Sequence, residues 1–384
     1  MKIGYILVLV IFLAMLISGC VSGSSPDQVI GTPGEVKSTT PAPANSWQQE
    51  WERILAEARK EGKVAIYTYY GSTVVNEFRK AFKEKYGLEL EFVSGNADAI
   101  LVKLENERRA GILISDLFIN GGTFTTRARD REFLDPIKPI LLLPEVIDNK
   151  AWFEGHHRYV DREGIYGVAF SLYPSFQLMR NTDIVKSNEV VSFRDVLDPK
   201  WKGKLVMLDP SASGPSNYWF SWMVEKVTGL DYMRALVKQE PVITRNDRLL
   251  WEWVAHGKYP VGISGRSDMY VEFAGVGAPV EPIWPREGTY WSGGSNVVSL
   301  TDKAPHPNAA KVFINWLLTK EGQTIVSKVT GKQSGRLDVP TDFLDPYAVR
   351  DPSKPYFILD QEEFLSKLDG YKQTAAEIFN PLLK

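Results

Sequence analysis

The spacing of apolar positions changes period repeatedly along this chain, and each change predicts an element. From Ser46, a candidate N-cap, Trp47, Trp51, Ile54, Leu55 and Ala58 recur at helical spacing until Glu61-Gly62 ends the run. Lys63–Tyr69 is a β-rich run, Tyr70-Gly71-Ser72 a turn, and Phe78, Phe82 and Tyr86 trace a second helix. Leu88–Val93 predicts a strand, Ala97–Ala110 a helix, and Ser115–Ile119 a third strand that ends in Asn120-Gly121-Gly122-Thr123. Strands separated by helices of this length predict a parallel sheet covered on both faces.

A second series starts after Gly164. Gly167–Ser171 and Ser175–Arg180 read as strands interrupted at Tyr173-Pro174, and Lys204–Leu208 as another. Pro210–Ser216 is a turn before an aromatic helix from Tyr218 to Val227, Tyr259–Ser264 is a further strand, and Ser295–Leu300 carries the chain back. Pro307–Ser327 predicts an amphipathic helix with Val312, Phe313, Trp316, Leu317 and Ile325 on one side, and Gln361–Phe379 a last helix. A body of over 300 residues exceeds what single cores usually fill, so two lobes are expected. Residues 47–168 with about 295–384 make the first, and 175–290 the second.

The N-terminus behaves differently. Ile6–Ile17 is apolar throughout, too short for the about 20 residues that span a bilayer, and it runs into Ser18-Gly19-Cys20. Residues 1–19 therefore read as a signal peptide. Ile17-Ser18-Gly19-Cys20 resembles the prokaryotic lipobox, which implies a diacylglyceryl group on Cys20 and anchoring to the cell membrane from outside the cytoplasm. Cys20 is the only cysteine in 384 residues, which excludes a disulfide framework, a redox pair and a thiolate metal cage. Residues 20–46, rich in Ser, Gly, Thr and Pro, read as a flexible tether.

Charge excludes little beyond a nucleic-acid partner: 45 basic against 47 acidic residues leave a net charge of −2, so binding specificity must be local. Aromatic residues at 12%, with 11 Trp, exceed the needs of a plain core and point to aromatic-lined concave surface.

Several stretches together resemble the solute-binding proteins of ABC importers, type II periplasmic-binding fold, in the branch of ferric-ion and small-solute binders. Lys63-Val64-Ala65-Ile66-Tyr67-Thr68 is similar to that branch's first strand, and Asp116-Leu117-Phe118 to its third. Asn181-Thr182-Asp183-Ile184-Val185, Trp201-Lys202-Gly203-Lys204-Leu205 and His306-Pro307-Asn308-Ala309-Ala310, followed by Trp316-Leu317 and Glu321-Gly322-Gln323, continue the likeness in order. The resemblance implies two α/β lobes with mixed sheets, joined by crossing strands that act as a hinge, and a ligand held between them. Ala169–Pro174 and Tyr290–Ser295 are the candidate hinges. The implied partners are a small-molecule solute, an ABC permease and its ATPase, with the chain a monomer.

Ligands of open parallel sheets sit at the carboxyl ends of strands. The candidates in the first lobe are therefore Tyr70, Gly71 and Ser72, and Gly121, Gly122 and Thr123, where helix starts favour anions; ordinary N-capping by Ser72 and Thr123 is the alternative. In the second lobe Ser211, Ala212, Ser213 and Gly214 resemble the family's anion-anchoring turn, against the alternative of a plain Ser-rich turn. The family's ferric binders place adjacent tyrosines after the strand matching Val261-Gly262-Ile263; here Ser264-Gly265-Arg266-Ser267 stands instead. Arg266 offers a planar donor fork suited to carboxylate, phosphonate or sulfonate. Naked ferric ion becomes the weaker candidate, and a chelated ion stays open. Tyr290 and Trp291 are candidates for stacking on a solute, whereas Trp219 and Trp222, three apart, suit a core, and His156-His157 suit a solvated loop.

An enzyme is not expected. Gly262-Ile263-Ser264-Gly265-Arg266 fails the nucleophile-elbow pattern at its last position, no phosphate or dinucleotide loop occurs, and four histidines supply general acid–base work poorly. No cofactor is expected. A non-transporting solute sensor and a secreted carboxylate-pair hydrolase remain the rival readings. Phosphonate, sulfonate, carboxylate, ferric complex, thiamine and polyamine all remain open as the solute.

Overall fold

The computed structural model describes residues 46–266, 268–292, 296–359 and 361–383. The signal peptide, Cys20, the tether before Ser46 and the hinge glycines Gly293-Gly294 lie outside the described residues. The chain begins with α1 (Ser46–Glu61), β1 (Lys63–Thr68), α2 (Ser72–Tyr86), β2 (Glu89–Ser94), α3 (Ala97–Arg109), β3 (Leu117–Asn120) and α4 (Gly122–Arg129). It continues through β4 (Leu134–Asp135), α5 (Pro144–Ile147), β5 (Arg158–Tyr159), β6 (Gly167–Ala169), β7 (Tyr173–Ser175), β8 (Leu178–Asn181), β9 (Leu205–Leu208) and α6 (Pro215–Trp222). Then follow α7 (Gly229–Val237), β10 (Val242–Thr244), α8 (Asp247–Ala255), β11 (Val261–Ile263), α9 (Asp268–Gly275), β12 (Val280–Ile283) and β13 (Thr289–Ser292). The last elements are β14 (Val297–Thr301), α10 (Pro307–Leu318), α11 (Lys320–Thr330), β15 (Tyr356–Ile358), α12 (Glu362–Leu365) and α13 (Leu368–Phe379).

Among the described residues each lobe is built on its own sheet. The first has the order β2-β1-β3-β14-β6-β5, with β4 also on β14; the second has the order β10-β9-β11-β8-β12. The run β2-β1-β3 is parallel, as strand–helix alternation predicts, but β14 returns antiparallel to β3, so the sheet is mixed. In the second sheet β10, β9 and β11 are mutually parallel and β8 and β12 antiparallel to their neighbours. Apolar side chains from α1, α2 and α10 close over the first sheet, with Phe78, Phe82, Phe313 and Trp316 fully buried together. Trp219 and Trp222 are fully buried in the second core, as their spacing suggests.

Between the lobes lies a small third sheet, β15-β13-β7. Tyr173-Pro174, read as an interruption from sequence, is part of β7, because β7 is an edge strand and a proline there costs no ladder bond on its open side. The chain's last helices, grouped with the first lobe in the sequence reading, place Phe364, Leu365, Leu368, Ala375 and Phe379 in the second core. Glu362 nonetheless receives both Nη atoms of Arg129, at 2.6 and 2.9 Å, and the Arg162 N–H at 2.8 Å, all from first-lobe elements.

Two predicted helices are broken. Pro307–Ser327 divides at Thr319, whose extended backbone (ψ 164°) and hydroxyl cap the Gly322 N–H of α11; a Cβ on Gly322 would stand 2.2 Å from the Trp316 carbonyl. The terminal helix divides into α12 and α13. After α6 the helix widens into a π turn, Met223–Val227, where Thr228 N–H reaches the Met223 carbonyl at 2.7 Å. His157, read as solvated, is 9% exposed and packs on Trp152 with ring centroids 4.7 Å apart.

A buried histidine and a half-buried carboxylate make stability fall with acid. Burial holds His157 from its usual 6.5 down to about 4, and the Arg129 side-chain bonds, against burial, hold Glu362 from 4.5 down to about 2. The unfolded chain takes up these protons first, so stability is lost between pH 6.5 and 4 through His157 and between 4.5 and 2 through Glu362. Each contributes on the order of 1 to 3 kcal/mol. Melting temperature measured from neutral pH downward should fall in both windows. His157→Gln should flatten the upper fall and Glu362→Gln the lower; curves parallel to the wild chain's would assign the acid sensitivity elsewhere.

Candidate functional site

The carboxyl ends of the parallel strands in both sheets carry the candidate turns, and the helices that follow start on glycine. Gly71, Gly121 and Gly214 are the N-cap residues of α2, α4 and α6, and none supplies a side-chain cap. Ser72 and Thr123 are therefore not caps: each lies inside its helix, and the first-turn N–H groups are left to other acceptors. By contrast α3 and α8, whose starts are capped by Asn96 and Asn246, follow ordinary practice.

The starts of α4 and α6 meet across the lobes. The Thr123 hydroxyl and the Tyr218 phenol are 3.1 Å apart, and Tyr218 belongs to the first turn of α6. Tyr290 donates to the carbonyl of Pro215, the residue that opens α6, at 3.5 Å. Leu365 of α12 covers the start of α4 so closely that a Cβ on Gly122 would stand 2.9 Å from its methyl. Gly122 is accordingly buried, while Gly71 and Ser72 are exposed.

The second-lobe turn is organised by a buried carboxylate. Asp209, 1% exposed, accepts the Ser211 N–H at 2.9 Å and its hydroxyl at 2.6 Å through one oxygen, and Arg245 Nε at 2.8 Å through the other. Burial opposes ionisation, but the Ser211 and Arg245 bonds outweigh it and hold this carboxyl below the usual range. Ala212 N–H caps back to the Asp209 carbonyl at 3.2 Å, Lys372 of α13 donates to the Ser213 hydroxyl at 3.1 Å, and Gly214 takes φ +133°, open to glycine. Arg266 is exposed just beyond β11, its N–H on Asp247 at 3.0 Å and its carbonyl receiving Trp251 Nε1 at 3.2 Å.

Tyr290 and Trp291, expected to stack on a solute, are 2% and 4% exposed. Trp291 packs on Phe153 at 5.4 Å and Tyr356 at 4.8 Å, and Tyr290 on Trp222 at 5.3 Å, so both rings belong to the core of the hinge. Burial raises the ionisation range of Tyr290 and also of Tyr70, which is 3% exposed. Tyr70 and half-buried Tyr69 both donate to the Asn296 side-chain oxygen, at 2.5 and 2.8 Å. Neither Asn296 nor Tyr218 stood out in the sequence, because nothing local marks a residue that meets a turn 226 or 95 positions away.

A cleft of about 410 Å³ lies between β7, α9 and the end of α11, and none of the site residues expected from the sequence lines it. Tyr173, Tyr270, Tyr347, Lys328 and Lys332 contribute its aromatic and basic lining. Lys332, 8% exposed, sits 4.8 Å from the Tyr173 ring centre. Among the described residues no group of three or more His, Cys, Asp or Glu side chains could hold a metal ion. No helix of the described residues is long and apolar enough to cross a membrane.

Two sheet-based lobes with strands crossing between them define a two-lobed binding protein of the type II periplasmic class. The sequence pattern described as bacterial extracellular solute-binding protein matches residues 77–352, and the chain belongs to that family. The family is one of binding proteins rather than enzymes, and it implies an extracytoplasmic site, a small-molecule solute and ABC-transporter partners. An uncharacterized protein of Haemophilus influenzae is 25% identical over 282 residues, 72% of this chain and 78% of that one. Among solved structures, the Trichodesmium protein IdiA (FutA) in complex with iron and citrate superposes with a TM-score of 0.65 at 19% identity, covering 84% of this chain and 99% of its own. AfuA of Actinobacillus pleuropneumoniae, with fructose-6-phosphate bound, gives 0.61 at 20% identity over 84% and 99%. The ferric binding protein of Campylobacter jejuni gives 0.63 at 16% identity over 83% and 99%.

The carboxylate under the second-lobe turn gives a direct test of its construction. Asp209→Asn should lower unfolding free energy by about 1.5 to 3 kcal/mol, the usual contribution of charge-assisted bonds. Urea unfolding measures it, and a variant as stable as the wild chain would show that the turn stands without the carboxylate.

Proposed function

We propose that this chain is a lipid-anchored receptor that closes its lobes on a small anionic or metal-complexed solute and delivers it to an ABC importer. The observation that carries this reading is the meeting of two helix starts from different lobes, α4 and α6, both opening on glycine and both without side-chain caps. The positive ends of two helix dipoles favour an anion bound there, each by about 0.3 to 1 kcal/mol. Arg266 stands just beyond the carboxyl end of β11, on the same edge as the Ser211–Gly214 turn, and adds positive charge, whereas Arg245 at the end of β10 is paired with Asp209. Relatives of the same fold hold iron with citrate and a sugar phosphate, both of them oxyanion-bearing ligands. The lipobox-like Ile17-Ser18-Gly19-Cys20 supports attachment at Cys20, and the family's importers supply the destination.

Calorimetric titration of the full chain with citrate, ferric citrate, fructose 6-phosphate and inorganic phosphate tests the reading, with small-angle scattering to follow closure. One equivalent bound and a smaller radius of gyration are expected for at least one of them. Saturation by a cationic solute such as a polyamine, with no response to any anion, would refute the anionic site. Arg266→Ala should raise the dissociation constant of a bound anion about tenfold or more. An unchanged constant would remove Arg266 from the site.

A further inference from the structure

The tyrosine pair at the end of β1 is committed to an amide. Tyr69 and Tyr70 lie with ring centres 4.6 Å apart and place both hydroxyls on one acceptor, the side-chain oxygen of Asn296. An amide oxygen has two lone pairs, and two phenol donors occupy them. The planar carboxamide is thereby fixed in orientation, with Nδ2 turned away from the phenols. That nitrogen is buried and has no hydrogen-bond partner, in a residue with no measurable exposure.

A second unspent amide ends the neighbouring strand, differently held. Asn120, 4% exposed, ends β3 directly opposite Val297, the residue after Asn296. Its side-chain oxygen accepts the Gly121 N–H at 2.9 Å, and its Nδ2 is likewise buried without a partner. Two carboxamides at one sheet edge thus have their oxygens engaged and their donors unspent. Unspent buried donors cost stability, and such groups in a folded protein ask for a missing acceptor.

Asn296 also sits at the hinge. Its backbone carbonyl receives the Phe170 N–H at 2.9 Å, which joins the strand entering the second lobe to the strand leaving it. A solute oxygen on Asn296 would therefore bind at a residue whose backbone is bonded to the other crossing.

Resting on the receptor reading above, we propose that Asn296 and Asn120 donate their Nδ2 hydrogens to oxygens of the bound solute, an organic oxyanion, and that Tyr69 and Tyr70 are positioning residues for Asn296 and not metal ligands. A bare cation would meet the positive end of both amides. Ligation by phenolate would also require Tyr70 to give up a proton that burial makes harder to lose and that Asn296 already holds.

The test uses the full chain, with citrate, fructose 6-phosphate and inorganic phosphate as oxyanion probes in calorimetry and ferric nitrilotriacetate followed by visible absorption. Asn296→Asp and Asn120→Asp keep the side-chain shape but replace a donor with an acceptor, and each should weaken a bound oxyanion about a hundredfold. Tyr70→Phe removes one of two restraints on Asn296 and should weaken it about three- to tenfold, with circular dichroism and melting temperature verifying the fold of every variant. Ferric addition should give no visible phenolate-to-iron band. A band that disappears in Tyr70→Phe overturns the proposal. So does failure of the wild chain to bind any oxyanion probe. An oxyanion that binds the wild chain, Asn296→Asp and Tyr70→Phe equally well overturns the roles assigned to these residues while leaving the receptor reading intact.

Discussion

The hydrogen bond from Phe170 N–H to the Asn296 carbonyl, 2.9 Å long, ties together the two strands on which the lobes hang. The chain leaves the first lobe through Ser171–Pro174 and comes back through β13 and β14, and at the centre of both passages the backbone must be held while side chains on either hand belong to different cores. Antiparallel pairing of β7 with β13 extends the tie toward the second lobe, and Thr289 reinforces it by donating its hydroxyl to the Ser175 carbonyl. Tyr290 and Trp291 fill the space beside this ladder. Large rings in a hinge give the crossing a packed body, so that rotation is confined to the few residues at its margins. The same packing removes them from the crevice wall, where their aromatic character alone had placed them.

A third connection restrains the lobes. Helix α12 is held to the first lobe by the Arg129–Glu362 pair and by Leu365 against Gly122, while α13 lies on α6 with Phe220 between Tyr371 and Phe379. Lys367, between the two helices, reaches Glu225 of the second lobe at 3.1 Å. On the receptor reading proposed above, opening of the crevice either breaks the α12 contacts or is absorbed in the short link between Leu365 and Leu368. A half-buried bidentate ion pair suits such a place: it gives a geometrically definite contact whose desolvation cost offsets much of its attraction, so that it directs the docking without freezing it.

Sequence periodicity captured the first lobe well because its elements obey one rule each. The apolar spacing of α1, α2 and α3 and the runs of β1, β2 and β3 lie within a residue or two of the observed limits. Periodicity failed where tertiary partners decide. Thr319 interrupts an apolar stripe that looks continuous, because a cap and a glycine pressed on the Trp316 carbonyl outweigh the pattern. The short β10 and β12, half-buried or broken by Pro282, carry too little alternation to be read at all. At the site the turns were legible, since glycine and serine after a strand are local features. Their partners were not: Asp209 under Ser211 is adjacent in sequence but Arg245 is not, and the bond from Tyr70 to Asn296 spans 226 positions.

The departures from the ferric-binder pattern and the observed geometry bear on each other. A chain that lacks a tyrosine pair after β11 could in principle move that pair to the end of β1, and Tyr69-Tyr70 stands at the right edge of the sheet for it. The cost of such a transfer is set by what surrounds the phenols. A metal-binding phenolate needs neighbouring charge to stabilise it, and the nearest fixed polar group here is a neutral amide oxygen, which stabilises the protonated phenol instead. In the second lobe Arg245 is already paired with Asp209, while Arg266 is exposed just beyond β11. On the receptor reading proposed above, donors of two lobes face one another, and such a site closes most favourably on a ligand that carries acceptors on both of its sides.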